Sequence, residues 1–214
     1  MKRLLILTLF LPLSAACIVK ETRHVLYLDP DGRIAWTVLE TGIHSDVQTT
    51  PDRAREEAEF ILQAQAGDHD ILRALTALGP EWQDGRVMRD QRPFAVWSEA
   101  RYGSAADLAQ RMLDRLQVPG RAVCWRSGDE THFELVCYPE QAPDGDIEAA
   151  KVLYPLLEGL DAYRLVLTRG RFTSAEGFRI EDDGRVASLI EPDEQAVKAA
   201  GGAVVLRLTW QDEP

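Results

Sequence analysis

A histidine, a serine and an aspartate follow one another at positions 44 to 46, and these residue types could form a hydrolytic site. Such a set activates the serine hydroxyl when its three side chains converge in space. It is usually assembled from distant segments, however, and the chain has no Gly-x-Ser-x-Gly elbow. A loop after a strand, followed by a helix cap, accounts for the same polar residues. We therefore predict no catalytic residue, and a periplasmic hydrolase using His44 and Asp46 remains an alternative.

The sequence shows no pattern typical of a metal or cofactor site. The four histidines are not paired at helical spacing and no Cys-x-x-Cys is present. Asp144, Asp146 and Glu148 could coordinate calcium, but they lack the spacing and the distal glutamate of an EF-hand loop. We predict neither a bound metal nor a cofactor.

The first seventeen residues have the pattern of an export signal. Lys2 and Arg3 precede an apolar run over residues 4–13, which is followed by small residues and then Cys17. A basic start, a short apolar core and small residues before a cleavage site define a secretory signal peptide. A membrane-spanning helix needs about 20 apolar residues, roughly twice the length of this run. We therefore predict a signal peptide over residues 1–16.

The cysteine that ends this segment resembles the last residue of the lipobox of bacterial lipoproteins. The usual box has leucine three residues before the cysteine, where this chain has Ser14. The resemblance implies cleavage before Cys17, a diacylglycerol on its thiol and a third acyl chain on its amine. Inner-membrane retention in many Gram-negative bacteria uses Asp at the next position, where this chain has Ile18. The resemblance thus favours the periplasmic face of the outer membrane, and secretion with an unmodified Cys17 is the alternative.

Charge limits the partners that the mature chain can have. The formal net charge of the whole chain is −11, and removal of Lys2 and Arg3 with the signal peptide takes it to −13. Nucleic acids bind mainly through cationic contacts to phosphate, so this balance argues against them. It argues equally against adhesion to anionic headgroups through a basic face. A lipid on Cys17 would hold the protein to its membrane without help from the domain.

The pattern of strands and helices predicts an α+β fold. Residues 17–23 are interpreted as a lipidated N-terminus and short tether, and residues 24–214 as a single domain. The β-rich runs favour hairpins, which predicts a largely antiparallel sheet with a helical hairpin and further helices packed on it. Predicted strands cover 24–28, 33–39, 94–102, 121–127, 133–138, 163–172, 177–181, 185–190 and 203–210. Predicted helices cover 50–66, 68–79, 104–116, 147–160 and 193–200.

Two cysteines remain after Cys17, and the predicted second hairpin places them opposite one another. If this hairpin turns through residues 129–132, Cys124 faces Cys137 across the strands. Oxidising compartments preserve such bonds, so we predict a Cys124–Cys137 disulfide. The alternative is a pair of reduced, buried cysteines that pack as small hydrophobic residues.

These observations favour a lipid-anchored envelope protein whose acidic, non-catalytic domain binds or supports another envelope component. Its expected partners are the membrane, through the N-terminal lipid, and an envelope protein, with no nucleic acid. Two alternatives are the hydrolase above and a carrier of a small apolar ligand. A hydrolase needs a concave site where His44 and Asp46 meet a nucleophile or metal, whereas a carrier needs a deep apolar cavity.

Overall fold

Two sheets form the frame of the domain in the computed structural model, which describes residues 18–142, 148–157, 163–190 and 193–212. The strands are β1 (Ile18–Leu28), β2 (Ile34–Ser45), β3 (Trp82–Arg89), β4 (Phe94–Tyr102), β5 (Gly120–Ser127), β6 (Glu130–Cys137), β7 (Arg164–Leu167), β8 (Arg171–Glu176), β9 (Phe178–Glu181), β10 (Val186–Leu189) and β11 (Val204–Gln211). The helices are α1 (Thr50–Gln65), α2 (Asp70–Ala77), α3 (Ala105–Leu116), α4 (Glu148–Lys151), α5 (Tyr154–Leu157) and α6 (Glu194–Ala199).

One sheet has seven strands and the other has four. The seven-stranded sheet has the order β3-β4-β2-β1-β7-β10-β9, and the four-stranded sheet has the order β5-β6-β11-β8. Among the strands of the described ranges, only β1 and β7 pair in parallel, and the other pairs are antiparallel. The α+β prediction is confirmed. Within the described residues, no helix combines the length and the apolar character needed to cross a bilayer.

The first hairpin forms where the sequence predicts it. The backbone N–H of Gly32 donates to Asp29 O at 2.9 Å, and Gly32 has a φ of +90°, which glycine adopts without strain. Alternate residues of β1 and β2 then point inward, including Leu26, Leu28 and Trp36. Trp36 is fully buried and lies in the same apolar core as Trp210 of the four-stranded sheet.

The predicted tether is wrong over its described part, because residues 18–23 belong to β1. Ile18 pairs with Ser45, and Arg23 pairs with Leu39. The apolar alternation fades here because Lys20 and Glu40 occupy inward positions of the two strands. Their side chains form an ion pair with an N–O distance of 2.5 Å, so the ladder continues where hydrophobicity alone predicts an end. Cys17 itself lies outside the described residues.

Helices cover the inner face of the large sheet. α1 and α2 form the predicted helical hairpin and supply Ile61, Ala64, Ile71 and Leu75 to two buried apolar clusters. The side chain of Ser104 caps α3 by accepting from the backbone N–H of Ala106 at 3.1 Å, as its position in the sequence predicts.

The second hairpin has a different register from the predicted one. Ser127 pairs with Glu130, so the turn contains only residues 128 and 129, and Gly128 takes a φ of +65°. Cys124 therefore pairs with Phe133, and Cys137 pairs with Gly120. Four residues of strand separate the two cysteines along β6, about 13 Å. A disulfide needs Cα atoms less than about 7 Å apart, so this register is incompatible with the predicted bridge, and both cysteines are free.

Candidate functional site

Ser45 is not available as a nucleophile to His44, the histidine of the alternative hydrolase. His44 is exposed near the end of β2, and its Nδ1 lies 2.7 Å from Gly42 O. Ser45 is buried, since successive residues of a strand point to opposite faces of the sheet. The Ser45 hydroxyl donates to Glu56 at 2.6 Å, and its backbone N–H donates to Glu57 at 3.1 Å. Ser45 thus secures β2 to α1 and is turned away from His44.

The described residues that most resemble a chemical site lie inside the fold instead. Lys20, Glu40, His69 and Ser98 form what we call the inner polar cluster. β1, β2 and β4 contribute the lysine, the glutamate and the serine, and His69 is the residue that precedes α2. His69 Nε2 lies 2.9 Å from Ser98 Oγ and 3.6 Å from Glu40 Oε2. Glu40, His69 and Ser98 are buried, with at most 1% of each exposed.

This arrangement of acid, histidine and serine differs from a hydrolytic triad in two ways. In a triad the acid holds one ring nitrogen of histidine while the other nitrogen accepts the serine proton. Here the serine and the acid both approach Nε2, and Nδ1 has no hydrogen-bond partner in the described part of the chain. Ser98 is also 0% exposed, so a substrate cannot reach its hydroxyl. The cluster therefore lacks both the geometry and the access that a hydrolytic triad needs.

Burial sets the electrostatics of the cluster. It raises the pKa of Glu40, and the neighbouring Lys20 ammonium opposes that shift. It lowers the pKa of His69 to about 4, with a smaller contribution in the same direction from Lys20. His69 is consequently neutral at pH 7, and the ion pair of the cluster is the one between Lys20 and Glu40.

A surface groove gives this cluster its contact with solvent. Lys20, with 18% of its side chain exposed, forms part of the lining of a groove of about 690 Å³. Ile18, Phe60 and Tyr154 contribute apolar surface there, and Glu56, Glu59, Asp70 and Lys151 contribute charge. The Lys20 ammonium lies 5.6 Å from the centre of the Phe60 ring, within cation–π range. The ion pair and the ring thus hold Lys20 in place at the base of the groove.

A second group of buried polar residues lies on the same face of the sheet. The Trp36 indole N–H donates to His24 Nδ1 at 3.2 Å, and the ring of Tyr163 stacks on His24 with 4.6 Å between centroids. His24 Nε2 and the Tyr163 hydroxyl have no hydrogen-bond partner among the described residues. Burial lowers the pKa of His24 to about 4 and raises the pKa of Tyr163. These side chains serve the core, and none reaches a groove described above.

No sequence motif identifies Lys20, Glu40, His69 or Ser98 as a site residue. The sequence feature that could have indicated the cluster is the position of two charged residues in the strands. Lys20 and Glu40 stand where the alternation of β1 and β2 predicts buried apolar residues. The calcium-like segment falls largely on residues 143–147, outside the described residues. Within the described ranges, no group of three or more His, Cys, Asp or Glu residues could hold a metal ion.

A ligand carrier would need an enclosed apolar cavity, and large side chains fill the space between the two sheets. Trp36, Trp210, Leu28 and Leu208 are each at most 1% exposed in this core. Grooves of about 300 to 700 Å³ occur at the surface, and each has charged residues in its lining. The described geometry thus favours neither the hydrolase nor the carrier.

Comparison with known proteins leaves the family open. No family model matches the chain, and no curated protein matches it. Among solved structures, the folded domain of LppM from Mycobacterium tuberculosis has a TM-score of 0.39 and 12% identity, and the match covers 91% of each chain. The Fcho1 mu homology domain from Danio rerio with a bound Eps15 peptide has a TM-score of 0.24 and 12% identity, over 94% of this chain and 79% of that one. At these TM-scores the similarities carry no argument about function.

Proposed function

We propose that the protein is a lipid-anchored component of the bacterial envelope whose acidic domain has a binding or supporting role and no catalytic one. The observation that carries this proposal is the lipobox-like segment that ends at Cys17, directly before β1. Consecutive Cα atoms are about 3.8 Å apart. A lipid on Cys17 would therefore be attached next to the large sheet, without a flexible spacer.

Such an arrangement fits a domain that works at the surface of its own membrane. An acidic domain gains nothing from anionic headgroups, so the acyl chains would supply the attachment. Two or more chains hold a protein firmly, whereas one chain binds only marginally. The residue after the cysteine is Ile18 and not Asp, which supports the periplasmic face of the outer membrane as the proposed location.

The non-catalytic part of the proposal is supported by the inner polar cluster. Its serine is inaccessible, and no described residue bonds to the second ring nitrogen of its histidine. The predicted alternative pair, His44 and Asp46, has its neighbouring serine directed into the fold. A supporting domain needs only a stable surface, which the two sheets provide.

Intact-mass analysis of protein extracted from the envelope tests the anchor. We expect an N-terminus at Cys17 and the added mass of acyl chains. The Cys17→Ser variant should keep its signal peptide or become soluble, with the domain still folded. An N-terminus elsewhere, or a Cys17 without acyl mass, would overturn the proposal.

A further inference from the structure

Strand register identifies which part of the domain lies beside the anchor. Ile18 pairs with Ser45, and Ile43 pairs with Phe94, while Ala95 pairs with Arg89. One end of the large sheet therefore contains the first residues of β1 and β4 and the last residues of β2 and β3. We call it the anchor end, because Cys17 directly precedes Ile18.

α1 lies across this end. Its Glu57 accepts from the backbone N–H of Ser45 at 3.1 Å and from the Arg92 guanidinium at 2.6 and 2.8 Å. Its Ile61 packs in one apolar cluster with Ile43, and Phe94 and Ile18 pack against that cluster. The helix is thus fixed to the ends of three strands, next to the residue that follows Cys17.

A groove lies between α1 and the segment that leads into β4, and its charged lining comes from Glu57, Asp90 and Arg92. Its volume is about 700 Å³, and its apolar lining comes from Ala54, Ala58, Ile61, Leu62 and Phe94. Leu62 is 64% exposed, the largest exposure among the large hydrophobic residues of the described chain. Val19 and Met88, near the same end, are 43% and 62% exposed. Burying these side chains would release free energy in proportion to the apolar area removed from water.

Charge at the anchor end differs from that of the whole chain. Residues 18–20, 44–65 and 88–94, which form this end and α1, contain five basic and six acidic side chains. The large acidic excess of the mature chain therefore lies in the rest of the domain. A nearly neutral surface can approach anionic headgroups without the repulsion that the remaining surface would meet.

From these observations we propose that the anchor end lies on the lipid bilayer, with α1 parallel to the membrane plane and Leu62 at the boundary between headgroups and acyl chains. This inference rests on the proposed acylation of Cys17. The lipid bilayer is the partner of this surface because Cys17 directly precedes Ile18. With a lipid on Cys17, no spacer would allow the domain to move away from the membrane surface. An interfacial helix buries its apolar side to about 5–10 Å in this boundary.

Two environment-sensitive labels test the orientation. Lipidated protein carrying Cys124→Ser and Cys137→Ala would receive a nitrobenzoxadiazole label at Leu62→Cys or, as the matched control, at Trp82→Cys. Both native side chains are exposed, at 64% and 42%. Trp82 belongs to the opposite end of the sheet, where it pairs with Arg101 and lies in register with Tyr27. Tyr27 is nine residues along β1 from Ile18, about 30 Å.

The labelled proteins would be reconstituted into vesicles of phosphatidylethanolamine and phosphatidylglycerol that contain nitroxide lipids. We expect blue-shifted emission and strong quenching at position 62, and at most a small effect at position 82. Wild-type protein in vesicles with a photoactivatable acyl chain should form crosslinks on α1, which avoids reliance on the variants.

Intact mass separates the two ways in which the experiment can fail. If Cys17 carries acyl chains while both labels report water, or position 82 is the quenched one, the orientation is wrong and the lipid anchor stands. If Cys17 carries no acyl chain, the proposed function fails and the orientation fails with it.

Discussion

The indole N–H of Trp36 donates to His24 Nδ1 across two neighbouring strands of the core, at a distance of 3.2 Å. Because this bond uses the Nδ1 lone pair, the proton of the neutral ring belongs on Nε2. A second proton could enter only at Nδ1, with loss of the bond. Burial lowers the pKa of His24 to about 4, and the loss of this bond on protonation also opposes the imidazolium form.

We predict that the protein loses stability as the pH falls from about 6.5 towards 4. In this window the unfolded chain binds protons on His24 and His69 that the folded chain does not, since both folded pKa values are about 4. Each histidine would cost up to about 3 kcal/mol. The raised pKa of Glu40 acts in the opposite direction over part of the window.

A comparison with His24→Gln isolates one histidine, because the amide oxygen can still accept from Trp36. Urea unfolding at several pH values should show a smaller loss of unfolding free energy for the variant than for wild type between pH 6.5 and 4. Equal slopes would mean that His24 titrates normally in the fold.

Two buried tyrosines should respond in opposite ways to loss of the hydroxyl. The Tyr163 hydroxyl has no hydrogen-bond partner among the described residues, whereas the Tyr102 hydroxyl donates to Leu75 O at 3.0 Å. Removal of an unpaired buried hydroxyl relieves a desolvation cost, so Tyr163→Phe should stabilise the fold by about 1 kcal/mol. Tyr102→Phe should destabilise it by about 1 kcal/mol. Chemical denaturation measures both, and a destabilised Tyr163→Phe variant would show that this hydroxyl has a partner.

Loss of Lys20 should be more damaging than loss of the whole ion pair. Lys20→Met leaves the carboxylate of Glu40 buried and unpaired, which should cost about 3 kcal/mol of unfolding free energy at pH 7. The cost should shrink at acid pH, where Glu40 becomes neutral. The double variant Lys20→Met with Glu40→Met should recover most of the loss. If the double variant is as unstable as the single one, the pair is not the source of the effect.

Both cysteines of the domain should be free thiols. The observed register keeps Cys124 and Cys137 at different levels of the hairpin, and burial raises the pKa of both thiols, which disfavours the reactive thiolate. Protein denatured without reductant should therefore take up one alkylating group at each position. A mass two hydrogens lower, with no alkylation, would require a different register from the one described.

Local chemistry determined several elements of this protein from the sequence alone. Asp29 and Gly32 set the first turn, Ser104 caps α3, and β4 has the bounds that its pattern predicts, Phe94 to Tyr102. In each case the deciding interactions lie within a few residues of the chain. The predicted signal peptide and Cys17 also form a local sequence pattern, and the prediction of a lipid anchor rests on it.

Tertiary structure decided the rest. The early part of β1 forms because Lys20 forms an ion pair with Glu40 on the neighbouring strand. β3 lacks apolar alternation, and it forms because its backbone pairs with the edge of β4. The second hairpin turns at residues 128 and 129, and this register places Gly120 against Cys137, where a Cβ atom would lie 2.5 Å from Val136 O. Only the folded chain brings Glu40, His69 and Ser98 together. These residues are far apart in the sequence, and strand register and helix packing bring them together. A local sequence pattern therefore cannot predict their contact.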